Sequence, residues 1–553
     1  MVKYLAAAIG SCVHVAGVLG FLSHVENEGH ETVFLGPATG IDELIKSIKE
    51  NDPDVIGVSY RLTSKSAARL LADLKEKAIQ NGLENKRWVL GCTAPTKPIA
   101  ENLHFFEEIF TGFSTDEDVL TFIRGRSKAC PEEKYPGDLM TRIVAKSPIP
   151  ILRHHFGQPS LQATLDGVAK IAEASVLDVI SIGPDQNAQE SFFRPEEMHS
   201  ALEGDGGVPI RAEEDLHRLF EASRRGNHPL IRCYSGTRDL LKWAAMLKAT
   251  VNNAWCATPL TWYSELDGRS KRTLEEAIRE NQANHRWHAE HNIPVEINEP
   301  HQWSLRSAHD TIAVAMAYLS AYNAKAVGVQ NYVAQYMLNT PLGTSPKMDL
   351  AKMLAKIELI ESLHDHSFTS VREVRPGLLS YPPDLDMGKG QLASSVYTGM
   401  MLKPNIVHVV GYCEADHAAT ADDVIESCKI ARRVIRDALL GLPDPLQDAE
   451  IRGRKEELVR EARLLVKAIA DLGQPESPDP LTDPLTYVRA VVRGLLDAAH
   501  LRNNAIARGQ LRTRIVGGAC RAVDPISHEP ISELTRLKQL GLISDESRIS
   551  ITT

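Results

Sequence analysis

The fold is decided by the stretch Gly10-Ser11-Cys12-Val13-His14-Val15-Ala16-Gly17, which joins an apolar run to a Gly- and Leu-rich segment with the pattern of a helix. The apolar run reads as a first strand, so this stretch is a loop at its carboxyl end. Open α/β sheets bind their ligands at that edge. The central histidine can ligate a metal held above the sheet, and the alternative for it is a satisfied loop or core histidine.

Two later apolar runs end on small or hydroxyl residues in the same way. Residues Asp54 to Thr63 read as a buried strand that ends near Ser59, and residues Trp88 to Pro95 read as a strand that ends at Gly91 and Cys92. Amphipathic helical patterns lie between these runs, and the alternation predicts a doubly wound parallel sheet. The ends of the three strands therefore converge on one rim.

On these residues the predicted amino-terminal domain, residues 1–125, resembles the cobalamin-binding domain of methionine synthase, the B12-dependent mutases and corrinoid proteins. The signature of that Rossmann-like, flavodoxin-like domain is Asp-x-His-x-x-Gly, then Ser-x-Leu, then Gly-Gly. The resemblance implies that His14 is the lower cobalt ligand, that Gly17 forms the close turn, and that Ser59 hydrogen-bonds the nucleotide tail of the cofactor.

Other positions depart from the family signature. Cys12 stands where the family has the aspartate that accepts the second N–H of the histidine, and a thiol is a much weaker acceptor than a carboxylate. Arg61 and Cys92 replace the leucine and the second glycine. We therefore expect weaker cobalt ligation, and a reshaped tail pocket whose binding residues include Leu62, Gly91 and Cys92.

Composition limits the partners of the chain. Its 553 residues allow two or three domains, and 43% hydrophobic with 24% charged residues is typical of a globular protein. The net charge of −10 argues against nucleic-acid binding, which needs a basic face. No apolar run is long enough for a membrane span, and the short first run reads as a strand rather than a signal peptide. The eight cysteines are scattered without a Cys-x-x-Cys pair, which indicates no zinc ribbon, iron–sulfur cluster or disulfide framework and predicts a cytoplasmic location.

The remainder of the chain predicts a linker, a barrel and a helical region. A proline- and charge-rich stretch places a linker at residues 126–147, and strand-like runs then alternate with helical patterns over residues 148–440. This repetition favours a (β/α)8 TIM barrel over a second open sheet. Residues 441–553 become Arg-, Glu- and Leu-rich, which predicts a mostly helical accessory region that packs on the barrel or on a second subunit. We expect the protein to be a homo-oligomer, a dimer. The predicted strands are Ile149 to Phe156, Val176 to Ile182, Pro229 to Tyr234, Thr250 to Ala254, Val295 to Asn298, Ala326 to Gln330 and Ile406 to Val410.

Polar residues follow several of the predicted barrel strands. Reacting groups of a TIM barrel lie just after its strands, and an arginine there suits a carboxylate substrate because a guanidinium grips a carboxylate at two points. We rank Arg153, Arg232 and Glu299 first among these residues. The alternative for each arginine is a surface or loop ion pair, and for the glutamate a solvated position on the rim.

The barrel region also resembles, loosely, the adenosylcobalamin-dependent carbon-skeleton mutases. The catalytic subunit of glutamate mutase is the nearer match, through the segments Thr258 to Thr261, Tyr332 to Gln335 and Thr340 to Thr344. The resemblance implies an intramolecular transferase, a mutase or isomerase, that acts by a radical mechanism on a small carboxylic or amino acid. Its cofactor would be adenosylcobalamin, which carries cobalt.

The same resemblance implies roles for individual residues. Arg153, Arg194 and Arg232 would clamp the acid groups of the substrate, while Glu299 and Tyr234 would orient an amino or hydroxyl group. The alternative function is a corrinoid-dependent methyltransferase or a cobalamin-binding sensor protein. Corrinoid methyl carriers usually have a small helical cap before the cobalamin domain, whereas this sequence opens on the first strand, so we favour the isomerase.

Overall fold

A computed structural model of the protein describes residues 1–112, 114, 116–125 and 135–542. The chain divides into two compact units, residues 1–134 and residues 135–553. None of the helices in the described part of the chain combines the length and the apolar composition that crossing a bilayer requires.

The first unit is an open, five-stranded parallel sheet with helices on both faces. Its strands are β1 (Lys3–Ala8), β2 (Glu31–Phe34), β3 (Val55–Tyr60), β4 (Arg87–Cys92) and β5 (Glu108–Phe110). Its helices are α1 (Ala16–Asn27), α2 (Ile41–Asn51), α3 (Ser64–Gln80), α4 (Lys97–Glu101) and α5 (Asp116–Ile123). The strand order β2-β1-β3-β4-β5 is that of flavodoxin, which places the topological switch point between β1 and β3.

The two central strands of this sheet are buried along almost their whole length. Leu5 and Ile56 belong to the apolar core on the side of α2 and α3, while Tyr4 and Val55 belong to the core on the side of α1 and α5. Strands covered on both faces become continuous apolar runs, which is why the sequence pattern was readable. The predicted doubly wound parallel sheet is confirmed.

The second unit is built around eight parallel strands that form a nearly closed barrel. The strands are β6 (Ile151–Phe156), β7 (Val179–Ile182), β8 (Leu230–Cys233), β9 (Cys256–Thr258), β10 (Val295–Ile297), β11 (Asn331–Leu338), β12 (Thr369–Pro376) and β13 (Ile406–His408). They are ordered β8-β7-β6-β13-β12-β11-β10-β9, so each strand except β8 neighbours the next one in the chain, and β13 returns to β6. The remaining gap lies between β8 and β9, where the Ala254 N–H donates to the Ile231 carbonyl at 2.9 Å. The predicted (β/α)8 architecture is thereby confirmed at the level of a parallel, nearly closed barrel.

Helices surround the barrel. They are α6 (Leu139–Lys146), α7 (Leu161–Glu173), α8 (Gln186–Ser191), α9 (Glu213–Ser223), α10 (Leu240–Val251), α11 (Leu274–Glu290), α12 (Glu299–Leu305), α13 (Asp310–Ala326), α14 (Pro346–Glu361), α15 (Leu385–Met400) and α16 (Ala421–Leu439). The first of them starts at Asp138, whose carboxylate accepts the Thr141 N–H at 2.9 Å. Leu139 and Ile143 share one face of this helix and pack in one apolar cluster with Trp255 and other residues at the amino-terminal end of the barrel strands.

This helix lies inside the stretch predicted as a linker, residues 126–147. The proline and charges before it suggested an unstructured connection, but the apolar spacing from Leu139 to Ile143 was the stronger signal. Residues 126–134 of the predicted linker lie outside the described residues.

Three details of the strand prediction for the barrel are wrong. Residues Thr250 and Val251 end α10, and the strand begins only at Cys256. The two β-branched residues were read as a strand because such residues favour strands. Residues 326–330 form the end of α13 and a turn at Gly328, whose φ is 91°, so that strand begins at Asn331. The strand β12 was not predicted at all, because charged residues interrupt its apolar pattern.

The carboxyl-terminal region belongs to the same compact unit as the barrel. It contains α17 (Ala449–Ala470), α18 (Pro484–Arg493) and α19 (Glu533–Gln539), together with the antiparallel pair β14 (Thr513–Val516) and β15 (Ala519–Ala522). Gly517 and Gly518 form the hairpin turn with φ values of 58° and 77°, a conformation that favours glycine at both central positions. Helix α17 packs against α13 and α14. The region contains these three helices in longer irregular segments, and the hairpin is an addition that the sequence pattern did not predict.

Candidate functional site

The cofactor residues predicted in the first unit lie together at the carboxyl edge of the sheet, beside the switch point. In the parallel register Ser59 pairs with Ala8 on one side and with Gly91 on the other. The Ile9 N–H donates to the Ser59 carbonyl at 3.0 Å, which ties the loop after β1 to the end of β3. The convergence of three strand ends that the sequence predicted is present.

The loop that carries His14 presents its imidazole to solvent and buries Cys12 beneath it. The cysteine is 0% exposed and its Sγ lies 3.9 Å from His14 Nδ1, whereas the neighbouring Val13 is 63% exposed. The Ala38 N–H donates to the Cys12 carbonyl at 2.9 Å and fixes the base of the loop. The histidine therefore has a long contact to sulfur and no carboxylate partner among the contacts described for it.

Space is available around this imidazole and beside the end of β3. A Cβ added at Gly17 would meet no atom within 4 Å, and one added at Gly91 would approach only Ser59 and the backbone near it, at 3.9 Å or more. Leu62 is 36% exposed on the loop after β3. Burial raises the pKa of the Cys92 thiol to about 11, so this side chain is a neutral wall of the rim.

The interior of the barrel contains a buried network of ions centred on Arg153. Its Nη1 donates to Glu373 Oε1 at 2.5 Å, its Nε donates to Ser181 Oγ at 3.0 Å, and its Nη2 lies 2.9 Å from His155 Nε2. Because Arg153 is on β6 and Glu373 is on β12, which are not neighbours in the sheet, these groups meet inside the barrel. All three nitrogens of the Arg153 guanidinium are engaged.

Arg232, on β8, is buried to the same degree but is poorly paired. Its nearest carboxylate oxygen is Glu296 Oε2, 3.6 Å from Nη2, and its Nε and Nη1 have no hydrogen-bond partner among the described residues. The guanidinium carbon lies 5.1 Å from the centroid of the Tyr234 ring and 5.5 Å from that of Trp255. Two buried donors of a permanently charged group are therefore open to an acceptor from outside the chain.

Glu296, on β10, joins the two arginines but is committed to other donors. Its Oε1 accepts from Gln335 Nε2 and its Oε2 accepts from Trp255 Nε1, both at 2.9 Å. Arg153 Nη1 lies 3.6 Å from the same Oε2. The carboxylate thus shares its charge between Arg153 and Arg232 and neutralises neither completely.

A third arginine, Arg375 on β12, completes the cluster. It is 7% exposed, its Nε donates to the Pro376 carbonyl at 3.3 Å, and it forms no ion pair within 4 Å of a carboxylate that the structure describes. Strand alternation places it on the same face as Glu373, two residues earlier. Sequence reasoning missed both residues because it missed the strand, whose charged residues Arg372 and Glu373 are adjacent and break any period-two pattern.

Histidines line the same space in their neutral form. Burial and the neighbouring arginines hold the pKa values of His155 and His408 well below the usual range. The His155 ring stacks on Tyr234 with centroids 5.4 Å apart and meets His408 edge-on at 4.7 Å. Burial also raises the pKa of Glu373, but Arg153 at 2.5 Å supports its ionised form. Three guanidinium groups and two carboxylates thus leave the cluster with an excess of positive charge.

Of the other predicted substrate residues, only Tyr234 lies against the arginine cluster. Arg194 lies outside it with a side chain 30% exposed, and pairs with Asp239 and with Glu197 at 3.7 Å. Glu299 is fully buried and accepts from the Leu260 and Thr261 N–H groups at 2.7 and 2.9 Å and from Trp303 Nε1 at 2.8 Å, besides a contact with the Thr261 hydroxyl. Its acceptor capacity is used in holding the turn after β9.

Comparisons with known proteins give only distant matches. No family model matches the chain, and no curated protein matches it. A novel cobalamin-binding protein from Desulfitobacterium hafniense DCB-2 is similar over 22% of this chain and 56% of its own, with 19% identity and a TM-score of 0.20. The apo form of the cobalamin-dependent S-adenosylmethionine radical enzyme OxsB is similar over 79% of this chain and 56% of its own, with 11% identity and a TM-score of 0.19. The form of OxsB with aqua-cobalamin and S-adenosylmethionine bound gives 11% identity, 89% and 71% coverage, and a TM-score of 0.18. The chain thus spans little more than half the length of the first two, and likenesses at this level assign no function.

Proposed function

We propose that this protein is a cobalamin-dependent enzyme that rearranges a small carboxylate, as an adenosylcobalamin-dependent carbon-skeleton isomerase. The observation that carries the proposal is the pair of unpartnered, buried donors on Arg232. A buried charge is costly unless it is paired and hydrogen-bonded. A substrate carboxylate supplies the missing negative charge and the missing acceptors together.

Arg232 and Arg375 bind the carboxylate in this proposal. Both lie on the barrel interior, on β8 and β12, and neither is paired closely with a carboxylate of the chain. Arg153 acts as a positioning residue, because its own nitrogens are engaged by Glu373, Ser181 and His155. Its ion pair with Glu373 fixes the strand that carries Arg375.

The residues of the first unit fit the cofactor that their resemblance implies. The exposed imidazole of His14 stands at the switch point of the sheet, where ligands of open α/β sheets bind, and the space at Gly17 and Gly91 is free of other side chains. The exposed apolar surfaces of Val13 and Leu62 suit the methyl groups and apolar face of a large ring. His14 would hold the cobalt, and Ser59 the nucleotide tail. When bound, adenosylcobalamin supplies an organic radical through homolysis of its cobalt–carbon bond.

The chain's own residues then bind the substrate and exclude water. The rings of Tyr234 and Trp255 lie beside the Arg232 guanidinium and shield a carboxylate bound there from solvent. The attraction between the carboxylate and the guanidinium is then stronger than in water. His155 is neutral and adds no competing charge. The rigid network around Arg153 keeps these groups in place during the reaction.

The direct test is a screen of small carboxylic and amino acids with the full chain and adenosylcobalamin, in which NMR detects rearranged product. We expect Arg232→Gln and Arg375→Gln each to reduce kcat/KM by about 10- to 100-fold, since a charge-assisted hydrogen bond contributes about 1.5–3 kcal/mol. The control is Arg279→Gln, whose side chain is 58% exposed and pairs with Glu275 on the surface of α11. Turnover that survives Arg232→Gln would refute the carboxylate assignment. Methyl transfer from methylcobalamin without rearrangement would favour the corrinoid methyltransferase instead.

A further inference from the structure

Three side chains with metal-binding atoms meet after the last barrel strand. Cys413 Sγ, a ring nitrogen of His417 and a carboxylate oxygen of Asp423 all lie within 4.8 Å of one another. A tight turn brings the first two together, because the Asp416 and His417 N–H groups donate to the Cys413 carbonyl at 2.8 and 3.0 Å. Asp423 lies in the first turn of α16 and accepts from the Thr420 N–H at 2.9 Å.

A further donor, His154 on β6, lies near Cys413, outside the group of three whose ligand atoms are within 4.8 Å of one another. It is 3% exposed, and its Nδ1 lies 2.5 Å from the His155 carbonyl, so Nδ1 carries the proton and Nε2 carries a lone pair. Within the described part of the chain this Nε2 has no hydrogen-bond partner. An unpartnered buried acceptor costs free energy, and a ligand would remove that cost.

Gly411 lies against both this histidine and the cysteine. A Cβ added to Gly411 would lie 3.3 Å from Cys413 Sγ and 3.4 Å from His154 Nε2. The sulfur and the imidazole nitrogen therefore flank the same backbone position, and a larger residue at position 411 would press on both.

We propose that this cluster binds one Zn²⁺ through Cys413 Sγ, His417 Nε2 and Asp423 Oδ2, and that His154 Nε2 moves in as the fourth ligand when the ion binds. A thiolate, imidazoles and a carboxylate in a four-ligand set are typical of zinc. This site is independent of the cobalamin proposal, since it uses none of the residues assigned to the cofactor or the carboxylate.

The surroundings already orient the ligands in the way zinc sites require. Asp416 Oδ2 lies 2.6 Å from His417 Nδ1, which leaves Nε2 as the ligating atom, and this Nε2 lies 3.2 Å from Asp423 Oδ2. A carboxylate behind a ligating histidine is the usual second partner of a zinc-bound imidazole. Tyr412 donates its hydroxyl to Asp423 Oδ1 at 2.7 Å, while Oδ2 accepts from the Thr420 N–H and hydroxyl at 2.9 and 2.6 Å and also faces the histidine.

Binding would release protons. Burial raises the pKa of the Cys413 thiol to about 11, so the metal-free site holds a thiol, and the Zn–S bond forms as that proton leaves to solvent. The proton shared between His417 and Asp423 leaves as well, while His154 is neutral because burial lowers its pKa to about 4. The bound ion would join the loop after β13, the start of α16 and β6, next to His155 of the arginine cluster.

The test is a titration of metal-stripped full-length protein with Zn²⁺ in competition with a chromophoric chelator, repeated with Co²⁺ as a spectroscopic probe. We expect one Zn²⁺ per chain and, with Co²⁺, a thiolate-to-metal charge-transfer band with tetrahedral visible absorption. Cys413→Ser and His417→Ala should each weaken Zn²⁺ binding by about 100-fold or more and remove or shift the Co²⁺ spectrum. Asp416→Asn should weaken binding by about 10–100-fold.

Controls keep the outcome decisive. Cys428→Ser removes another fully buried thiol, on α16, and should leave affinity and spectrum unchanged. His417 is exposed, so His417→Ala tests the site without disturbing the core, and thermal unfolding of each variant confirms that it is folded. Gly411→Ala should weaken binding without removing any ligand. Absence of saturable binding by the wild-type chain, or binding by Cys413→Ser equal to that of the wild type, would overturn the proposal.

Discussion

Two arginines inside the barrel should respond in opposite ways to the same substitution. Arg153 and Arg232 are each 1% exposed, but Arg153 has a glutamate at 2.5 Å whereas the nearest carboxylate oxygen to Arg232 is 3.6 Å away. Removing one partner of a buried ion pair costs about 3–5 kcal/mol, so Arg153→Met should lower the free energy of unfolding by about that amount. Each unsatisfied buried donor costs about 1–3 kcal/mol, and Arg232 has two of them. We therefore expect Arg232→Met to raise the free energy of unfolding by about 1–2 kcal/mol, because the lost attraction to Glu296 at 3.6 Å offsets part of the gain while Glu296 keeps its other donors.

The assay is urea unfolding followed by tryptophan fluorescence in a buffer without carboxylates. Trp255 reports on both sites, since its ring centroid lies 5.4 Å from the Arg153 guanidinium carbon and 5.5 Å from that of Arg232. A small carboxylate that stabilises the wild type should no longer stabilise Arg232→Met. If Arg232→Met loses as much stability as Arg153→Met, Arg232 is a structural ion-pair partner and the reasoning is refuted.

Three further predictions follow from local environments. Burial lowers the pKa of His285 to about 3, so between about pH 6.5 and pH 4 the unfolded state binds one more proton than the folded state. The free energy of unfolding therefore falls by about 1.4 kcal/mol per pH unit as the pH drops through that range. His285→Gln should remove this slope. Gly388→Ala should destabilise the barrel by about 1–3 kcal/mol, since the new Cβ would lie 2.2 Å from the Tyr412 carbonyl oxygen, while Gly390→Ala on the same helix meets no atom within 4 Å and should stabilise it by about 0.5–1 kcal/mol. Cys12→Asp should tighten cobalamin binding by about 10–100-fold, because a carboxylate is a better partner for the His14 N–H.

Each of these predictions has a distinct measurement and a contradicting result. Denaturant unfolding at a series of pH values gives the slope for His285→Gln, and a slope equal to that of the wild type would contradict the assigned pKa. Calorimetry compares the two glycine variants, and equal effects would show that the close approach of Gly388 to the backbone is unimportant. Equilibrium titration with cobalamin measures the Cys12 variant, and an unchanged affinity would mean that another residue serves the His14 N–H.

Sequence patterns predicted the elements whose residues are uniformly apolar. The strands β1 and β3 are covered on both faces, so Leu5 to Ala8 and Val55 to Val58 are readable as buried runs, and the loop after β1 could be placed at the sheet edge from the sequence alone. The polar interior of the barrel had the opposite effect. Glu373 and Arg375 made β12 resemble a surface segment, because a charged residue inside a barrel leaves the same local pattern as one outside.

The candidate site was predicted in part for a related reason. Arg153, Arg232 and Tyr234 were found because each follows or ends an apolar run, and the structure brings them together. Whether an arginine is already paired depends on residues far away in the chain, such as Glu373 for Arg153, 220 positions later. Local sequence therefore could not distinguish the engaged Arg153 from the open Arg232. The same holds for His154, whose neighbours in the proposed zinc site come from the other end of the barrel sequence.

The central claim is that His14 holds the cobalt of a bound cobalamin, and electron paramagnetic resonance tests it most directly. The full chain is produced with ¹⁵N-labelled histidine and mixed with cob(II)alamin whose own nitrogens are ¹⁴N. Ligation by His14 predicts doublet superhyperfine splitting from ¹⁵N, which His14→Ala removes. A triplet from the cofactor's ¹⁴N base in the labelled protein, or a spectrum that His14→Ala leaves unchanged, would contradict the account.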